Sequence, residues 1–418
     1  MFFFASSWVM ANPYLPGYET RPLSGDLDIK TERLLRKTQR EIVRVLVFPH
    51  LGRYPIPQKR ESVVDEVTLS SSGRCKTRIR GGAWIESPSQ ILFHASSLRV
   101  PVRVSCDRAV TVQRESGLKS YAYHGKFEVR ALRSESGRDI VQVINELPYE
   151  EYLRGVIAAE MLYSWPMEAL KVQAIAARTY GLYEVYLARQ EAPHQGYDVD
   201  DTVFFQAYLG ASGITARTDE ALRLTRGEVM TQEGRIIKAY FSADSGGYTE
   251  AAANVWGKEL SYCSSKPEVF DPSLVKSEWT ARSSHADVRD RLVKNGMISQ
   301  GLDVIGLAIS DEDRSESGRP LRVWVFFSDG SYLSLGGEQF RYLMNFRSAL
   351  YHFRADGEGN LDFAGRGFGH GVGMSQEGSR ALVNSLQWDA HSILKFYYSG
   401  IQIENFLDDS PLVVSSNK

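Results

Sequence analysis

Near Glu150 the hydrophobic period of the chain changes from two to 3.6, and that change most limits the folds open to it. Before it, from Arg40 to about Leu147, short β-branched runs such as residues 42–47 and 139–144 are broken by Gly, Ser and Asn, the pattern of antiparallel strands. After it, apolar residues recur at helical spacing to about Arg189. The prediction is an α+β fold, with a mainly β N-terminal region and central helices packed on antiparallel sheet. Beyond Gln190 turns and strands return. Residues 235–242 read as a strand with Ser245-Gly246-Gly247 as its exit, and 275–350 hold a helix and strands such as 321–327. The glycine-rich run 365–373 then leads into a last helix near Gln376 to Asn384.

Composition narrows the function. Among 418 residues, 49 basic and 51 acidic side chains leave a net charge of −2, which supplies no field to draw the chain to nucleic acid, anionic lipid or a polyanionic substrate. With 43% hydrophobic residues the chain can bury a large core, and its length suits one elaborate domain or two. Cys75, Cys106 and Cys263 form no CxxC pair for zinc and leave room for one bridge, Cys75 to Cys106. The first eleven residues, Met1 to Ala11, are apolar and end Val-x-Ala, the small-residue pattern of an export cleavage site, but they lack a basic start. An unstructured N-terminus fits them equally. No stretch reaches the roughly 20 apolar residues that span a bilayer.

One residue stands out in the first helix. Leu153, Val156 and Ile157 lie seven, four and three residues before Glu160, so the carboxyl shares their apolar face. Desolvation there favours the neutral acid, which is how a carboxyl becomes a general acid near neutral pH, although a glutamate at a helix end can also swing out to water. Ser164-Trp165-Pro166 separates this helix from the next. In that second helix Lys171 and Arg178, seven apart, share one side and suit a carboxylate or sugar hydroxyls. Lys171 also reads as a solvated cation and Arg178 as half of a structural ion pair.

The stretch Gly365-Arg366-Gly367-Phe368-Gly369-His370-Gly371-Val372-Gly373-Met374-Ser375-Gln376 has glycine at alternate positions, which allows close backbone approach to a ligand. It matches neither GxGxxG nor a P-loop, and Gly373-Met374-Ser375-Gln376-Glu377 lacks the closing glycine of a nucleophile elbow. What is left is a loop that presents His370, Ser375 and Gln376 to a bulky substrate, or a glycine-rich strand pair with His370 as a structural hydrogen-bonding residue. Neither His370 nor Cys263 has the neighbours in sequence that zinc needs.

Four blocks taken together resemble the SpoIID/LytB family. They are Leu153 to Met161 (LRGVIAAEM), Ser164 to Tyr180 (SWPMEALKVQAIAARTY), Tyr240 to Glu250 with Val255-Trp256-Gly257, and Gly367 to Gln376. The resemblance spans roughly residues 40–406, most densely 147–257 and 366–400. It implies a mainly β part 41–147, a SpoIID-like catalytic core 148–406 and a tail 407–418, and leaves unassigned the N-terminal segment 1–40, which the composition reads as export signal and linker. It also implies an exported protein of the cell envelope or periplasm.

The activity implied is a lytic transglycosylase acting on peptidoglycan glycan strands stripped of stem peptides, with Glu160 as the catalytic acid and no cofactor. An N-acetylmuramoyl-L-alanine amidase, which strips those peptides, is the implied functional partner. Lys171, Arg178, Tyr240, Ser242, Ser245, His370, Ser375 and Gln376 are the implied substrate-binding residues. Some relatives resemble zinc proteins through a His/Cys cluster near the Ser-Gly-Gly block, where this chain has Cys263 without a companion, so no metal is expected. The competing readings are a non-catalytic glycan-binding modulator of an amidase and, third, a hydrolytic glycosidase.

Overall fold

The computed structural model describes residues 42–47, 65–113, 120–133, 137–191, 193–202 and 205–405. The N-terminal segment 1–40, with the expected export signal, and the tail 407–418 lie outside them. The fold is α+β, as the change of period predicts, and the chain forms two compact units. One runs through Ser242–Gly378; the other takes the described residues before and after it. The change of secondary structure at 147 and 148 is not a boundary between units, because strand and helix there are continuous within one of them.

In the larger unit, eleven strands build two sheets: β1 (Ile42–Val47), β2 (Glu66–Ser71), β3 (Cys75–Ile79), β4 (Ile85–Ser87), β5 (Gln90–His94), β6 (Val102–Cys106), β7 (Val110–Gln113), β8 (Tyr121–Tyr123), β9 (Lys126–Arg133), β10 (Asp139–Pro148) and β11 (Val199–Asp200). The order β11-β1-β10-β9-β6-β3-β4 makes a seven-stranded sheet, and β5-β2-β7-β8 a four-stranded one. Cys75 and Cys106 face each other across the β3–β6 ladder and are joined in a disulfide, the one bridge the cysteine spacing left room for.

β10 lies between β1 and β9, in register from Ile42 opposite Pro148 to Asp139 opposite Arg133, and passes directly into helix α1 (Tyr149–Glu160). Glu150 and Glu151 sit in the first turn of α1, where carboxylates suit the positive end of the helix dipole. Tyr149, Tyr152, Leu153, Val156 and Ile157 are buried. α1 stops where Met161 turns extended. α2 (Met167–Glu191) follows Pro166 and is apolar on nearly every side, so it forms the centre of this unit. α3 (Ala216–Leu224), absent from the sequence reading, starts at a capping box between Thr215 and Thr218 and is tied to α1 by Arg154, which grips Asp219 through two bonds of 2.8 Å.

Two further expectations need correction. The strand expected over 235–242 survives only as short pieces, Arg235–Ile236 and Phe241–Ser242. Ile236, Ile237 and Ala239 are all buried, so the alternation that a ladder needs is broken between them. The helix near Gln376 is present as Gln376–Leu386 but is not the last: Ala390–Tyr397 follows, capped by Asp389, which accepts the Ser392 amide at 2.7 Å.

The unit Ser242–Gly378 holds two three-stranded sheets, Glu278–Ser284 with Asn360–Arg366 and Tyr351–Ala355, and Val304–Ala308 with Arg322–Phe327 and Tyr332–Gly336. Helices His285–Lys294 and Gly337–Met344 complete its core around Val288, Leu292, Val323, Phe340 and Phe363. Among the described residues no helix is long and apolar enough to cross a membrane.

Candidate active site

Glu160 is the last residue of α1. The face it was expected to share is fully buried at Leu153, Val156 and Ile157, but Glu160 itself lies at the rim, half-buried. Its Oε1 accepts the Ala207 backbone amide at 2.6 Å. That amide arrives because Gly155 lets the 205–210 segment lie against α1: a Cβ at Gly155 would stand 2.4 Å from the Gly210 carbonyl oxygen and 2.5 Å from the Tyr208 ring. Beneath it, Gln206 donates to the buried Tyr152 hydroxyl at 3.1 Å, and Tyr208 donates to Asn145 of β10 at 2.8 Å. Burial first, and then the charges of Asp200, Glu160 and Asp201, push the Tyr152 hydroxyl well above its ordinary range. A carboxyl with one oxygen fixed by a backbone donor is held in orientation, as a proton-transferring group must be.

The other expected residues of this unit are committed elsewhere. Arg178 is completely buried; its Nε and Nη2 donate to Glu150 at 2.9 and 3.1 Å, and its Nη1 to the Thr225 and Glu228 carbonyls at 2.8 and 3.3 Å. The structural ion pair is therefore the reading of Arg178 that its geometry supports, with Glu150 as the carboxylate it grips. Truncation to Ala is expected to cost about 3 kcal/mol in chemical denaturation, because it orphans two carbonyls and a partly buried carboxylate. An unchanged denaturation midpoint together with weakened glycan binding would return Arg178 to the substrate. Lys171 pairs with Glu168 at 2.9 Å, one turn away. Tyr240 is buried against Tyr180, ring centroids 6.0 Å apart, with Lys238 5.2 Å from the centre of its ring.

In the unit Ser242–Gly378 the remaining residues lie in or against the glycine-rich segment. The glycine-rich segment is stitched to the chain around it: Asp244 and Phe368 exchange backbone bonds of 3.0 and 2.8 Å, Gly369 donates to Arg347, and Glu250 donates to Gly371. Ser375 Oγ accepts the Ser245 and Gly378 amides at 3.3 and 3.0 Å, and Ser245 donates to Glu268 at 2.6 Å. The Ser242 hydroxyl is buried and has no partner. Its Cβ would be 2.8 Å from a Cβ at Gly369, a position with φ of +104° that only glycine occupies without strain. His370 Nδ1 accepts the Val372 amide at 2.9 Å, so a neutral ring carries its proton on Nε2, and its ring meets the edge of Trp256. Gln376 is buried, at the start of helix Gln376–Leu386.

Glu250 is a residue the sequence reading passed over. It is buried, and its Oε1 accepts the Ala251 amide, Asn254 and Ser265, while Oε2 accepts Ser315 and Ser317. Burial pushes its pKa up, but these hydrogen bonds and the nearby Arg319 charge outweigh that and hold it below the usual carboxylate range. Arg319, itself buried, donates to the Tyr248 and Ser245 carbonyls and packs against Gly371. Cys263 is buried with its thiol pushed up by desolvation, and among the described residues no three His, Cys, Asp or Glu side chains cluster as ligands would.

Glu160 thus ends a helix whose apolar face is buried, in one unit, and the other unit holds the stitched glycine-rich segment. The family model described as Stage II sporulation protein matches residues 137–232, from β10 through α1, α2 and α3. Stage II sporulation protein D of Bacillus subtilis is 31% identical over 274 residues, covering 63% of this chain and 76% of the relative. An uncharacterised protein of Brachyspira hyodysenteriae is 32% identical over 270 residues, 64% of this chain and 70% of the relative. An amidase enhancer of Bacillus subtilis is 31% identical over 301 residues, 61% of this chain but 40% of the relative. The chain belongs to the SpoIID family.

Proposed function

We propose that the protein is a lytic transglycosylase that cuts the MurNAc-GlcNAc bond of peptide-stripped peptidoglycan strands, working in the cell envelope downstream of an amidase. The observation that carries this reading is the setting of Glu160: half-buried at the end of an apolar helix, with one oxygen fixed by the Ala207 amide. Such a carboxyl gives its proton to the glycosidic oxygen as the MurNAc C1–O bond breaks. The resulting carboxylate takes the proton of the same sugar's C6 hydroxyl, whose oxygen closes on C1. The acid returns to its protonated state, no water is consumed, and a 1,6-anhydro-MurNAc end is left. One carboxyl serves in both steps, unlike the paired carboxylates of hydrolytic glycosidases. Ser242, Ser245, His370, Ser375 and Gln376 are proposed as sugar-binding residues with the glycine-rich loop.

The amidase-enhancer relative supports a second reading, in which the protein binds glycan and modulates an amidase without cutting. Mass spectrometry of denuded strands incubated with the protein in ¹⁸O-water separates the two. Anhydro ends free of ¹⁸O are expected; ends carrying ¹⁸O indicate hydrolysis, and bound but unchanged strands indicate the modulator.

A further inference from the structure

The loop that follows Glu160 exposes two large apolar side chains side by side. Leu162 is 64% and Tyr163 58% exposed, whereas Tyr149, Tyr152, Tyr180, Tyr183, Tyr208 and Tyr240 of the same unit are all buried. Single exposed apolar residues are ordinary on protein surfaces. What sets this pair apart is that the backbone beneath it is held from both sides. Met161 is buried in a cluster with Ala169, Leu170 and Ala221, and Trp165 N–H closes a turn onto the Leu162 carbonyl at 3.0 Å. From α3, Arg217 donates through Nε to the Tyr163 carbonyl and through Nη2 to the Trp165 carbonyl, both at 2.9 Å. Arg380 lies over the Trp165 ring, 5.5 Å from its centre. The ring of Tyr163 is thus presented to solvent from a fixed base.

Tyr163 is three residues beyond Glu160, so their Cα atoms are at most about 11 Å apart, and both side chains can serve one bound oligosaccharide. A sugar ring offers a face of C–H groups, which packs on the electron-rich face of an aromatic ring while the hydroxyls at its edge stay in water. We propose that Tyr163, with Leu162 beside it, is the stacking platform for a sugar ring adjacent to the scissile bond, and that Arg217 is the residue that positions it. This rests on Glu160 as the acid of a glycan-cleaving site.

The test is equilibrium binding of denuded glycan oligosaccharides to full-length Glu160→Gln protein, with and without a second change. Adding Tyr163→Ala weakens binding about tenfold, some 1.4 kcal/mol, and Tyr163→Phe restores it because the ring, not the hydroxyl, makes the contact. In the Glu160 protein the same Ala change raises KM more than it lowers kcat and leaves the thermal midpoint in place. Arg217→Ala weakens binding in the same direction and adds little once Tyr163 is already Ala, since the two act through one contact. Unchanged affinity in Tyr163→Ala overturns the platform whatever Glu160 does. Affinity that depends on Tyr163 without any anhydro product keeps the platform and sinks the transglycosylase, and no glycan binding by either protein overturns both.

Discussion

Glu160→Gln is expected to lower release of 1,6-anhydro ends from denuded strands by about 10² to 10⁴, the range over which a positioned general acid contributes. The amide keeps the shape of the carboxyl and still offers an oxygen to the Ala207 N–H, 2.6 Å away in the native protein, so the thermal midpoint stays within the scatter of surface variants. It cannot protonate a leaving oxygen and cannot then accept the C6 hydroxyl proton, so both halves of the reaction are lost together. Wild-type turnover in Glu160→Gln would remove Glu160 from the mechanism.

The second large effect is on stability. Glu250→Ala deletes a buried acceptor of five hydrogen bonds and leaves Ser315, Ser317, Asn254, Ser265 and the Ala251 amide to find other partners, which is expected to cost about 3 to 5 kcal/mol. Hydrogen exchange of the amides in 244–251 and 314–319 reads the change where it falls. The pH dependence has a definite sign. The native carboxyl titrates below the ordinary value, so its contribution is complete above the unfolded pKa, about 4.3, and disappears as pH falls through the lower folded value. The gap between wild type and variant is therefore widest near neutrality and narrows in acid; a gap that widens in acid contradicts the assigned hydrogen bonds.

How much of this the sequence shows depends on whether the determining contact is local. α1 and α2 are legible because periodicity is a property of neighbours, and the break between them because Pro166 cannot continue a helix. α3 and the helix Ala390–Tyr397 also carry local signals, Thr215-x-x-Thr218 and Asp389-x-x-Ser392, that a reading by hydrophobic period alone passes over. The environment of Glu160 is different. Its donor is a backbone amide 47 residues away, and any side chain at 207 would bring the same N–H, so no residue type marks it. Arg178 shows a similar limit: an arginine in an alanine-rich helix signals a buried cation, but the carboxylate it grips is 28 residues earlier and no spacing rule selects Glu150 over Glu160. Glu250 is the extreme case, since donors from 251 to 317 meet only after the unit has folded.

Because β10 passes into α1 without a loop, the helix works as a measuring rod. Twelve residues of α1 carry the acid about 18 Å from a start fixed by the ladders of β10 with β1 and β9. Substitutions along that rod that keep Gly155 leave the address of the carboxyl unchanged. Adding or deleting one residue turns it by about 100° and moves it off the amide that holds it. Among diverging relatives, the spacing between the last β10 pair and Glu160, together with Gly155, is therefore expected to mark a shared site more strictly than the other residues in between.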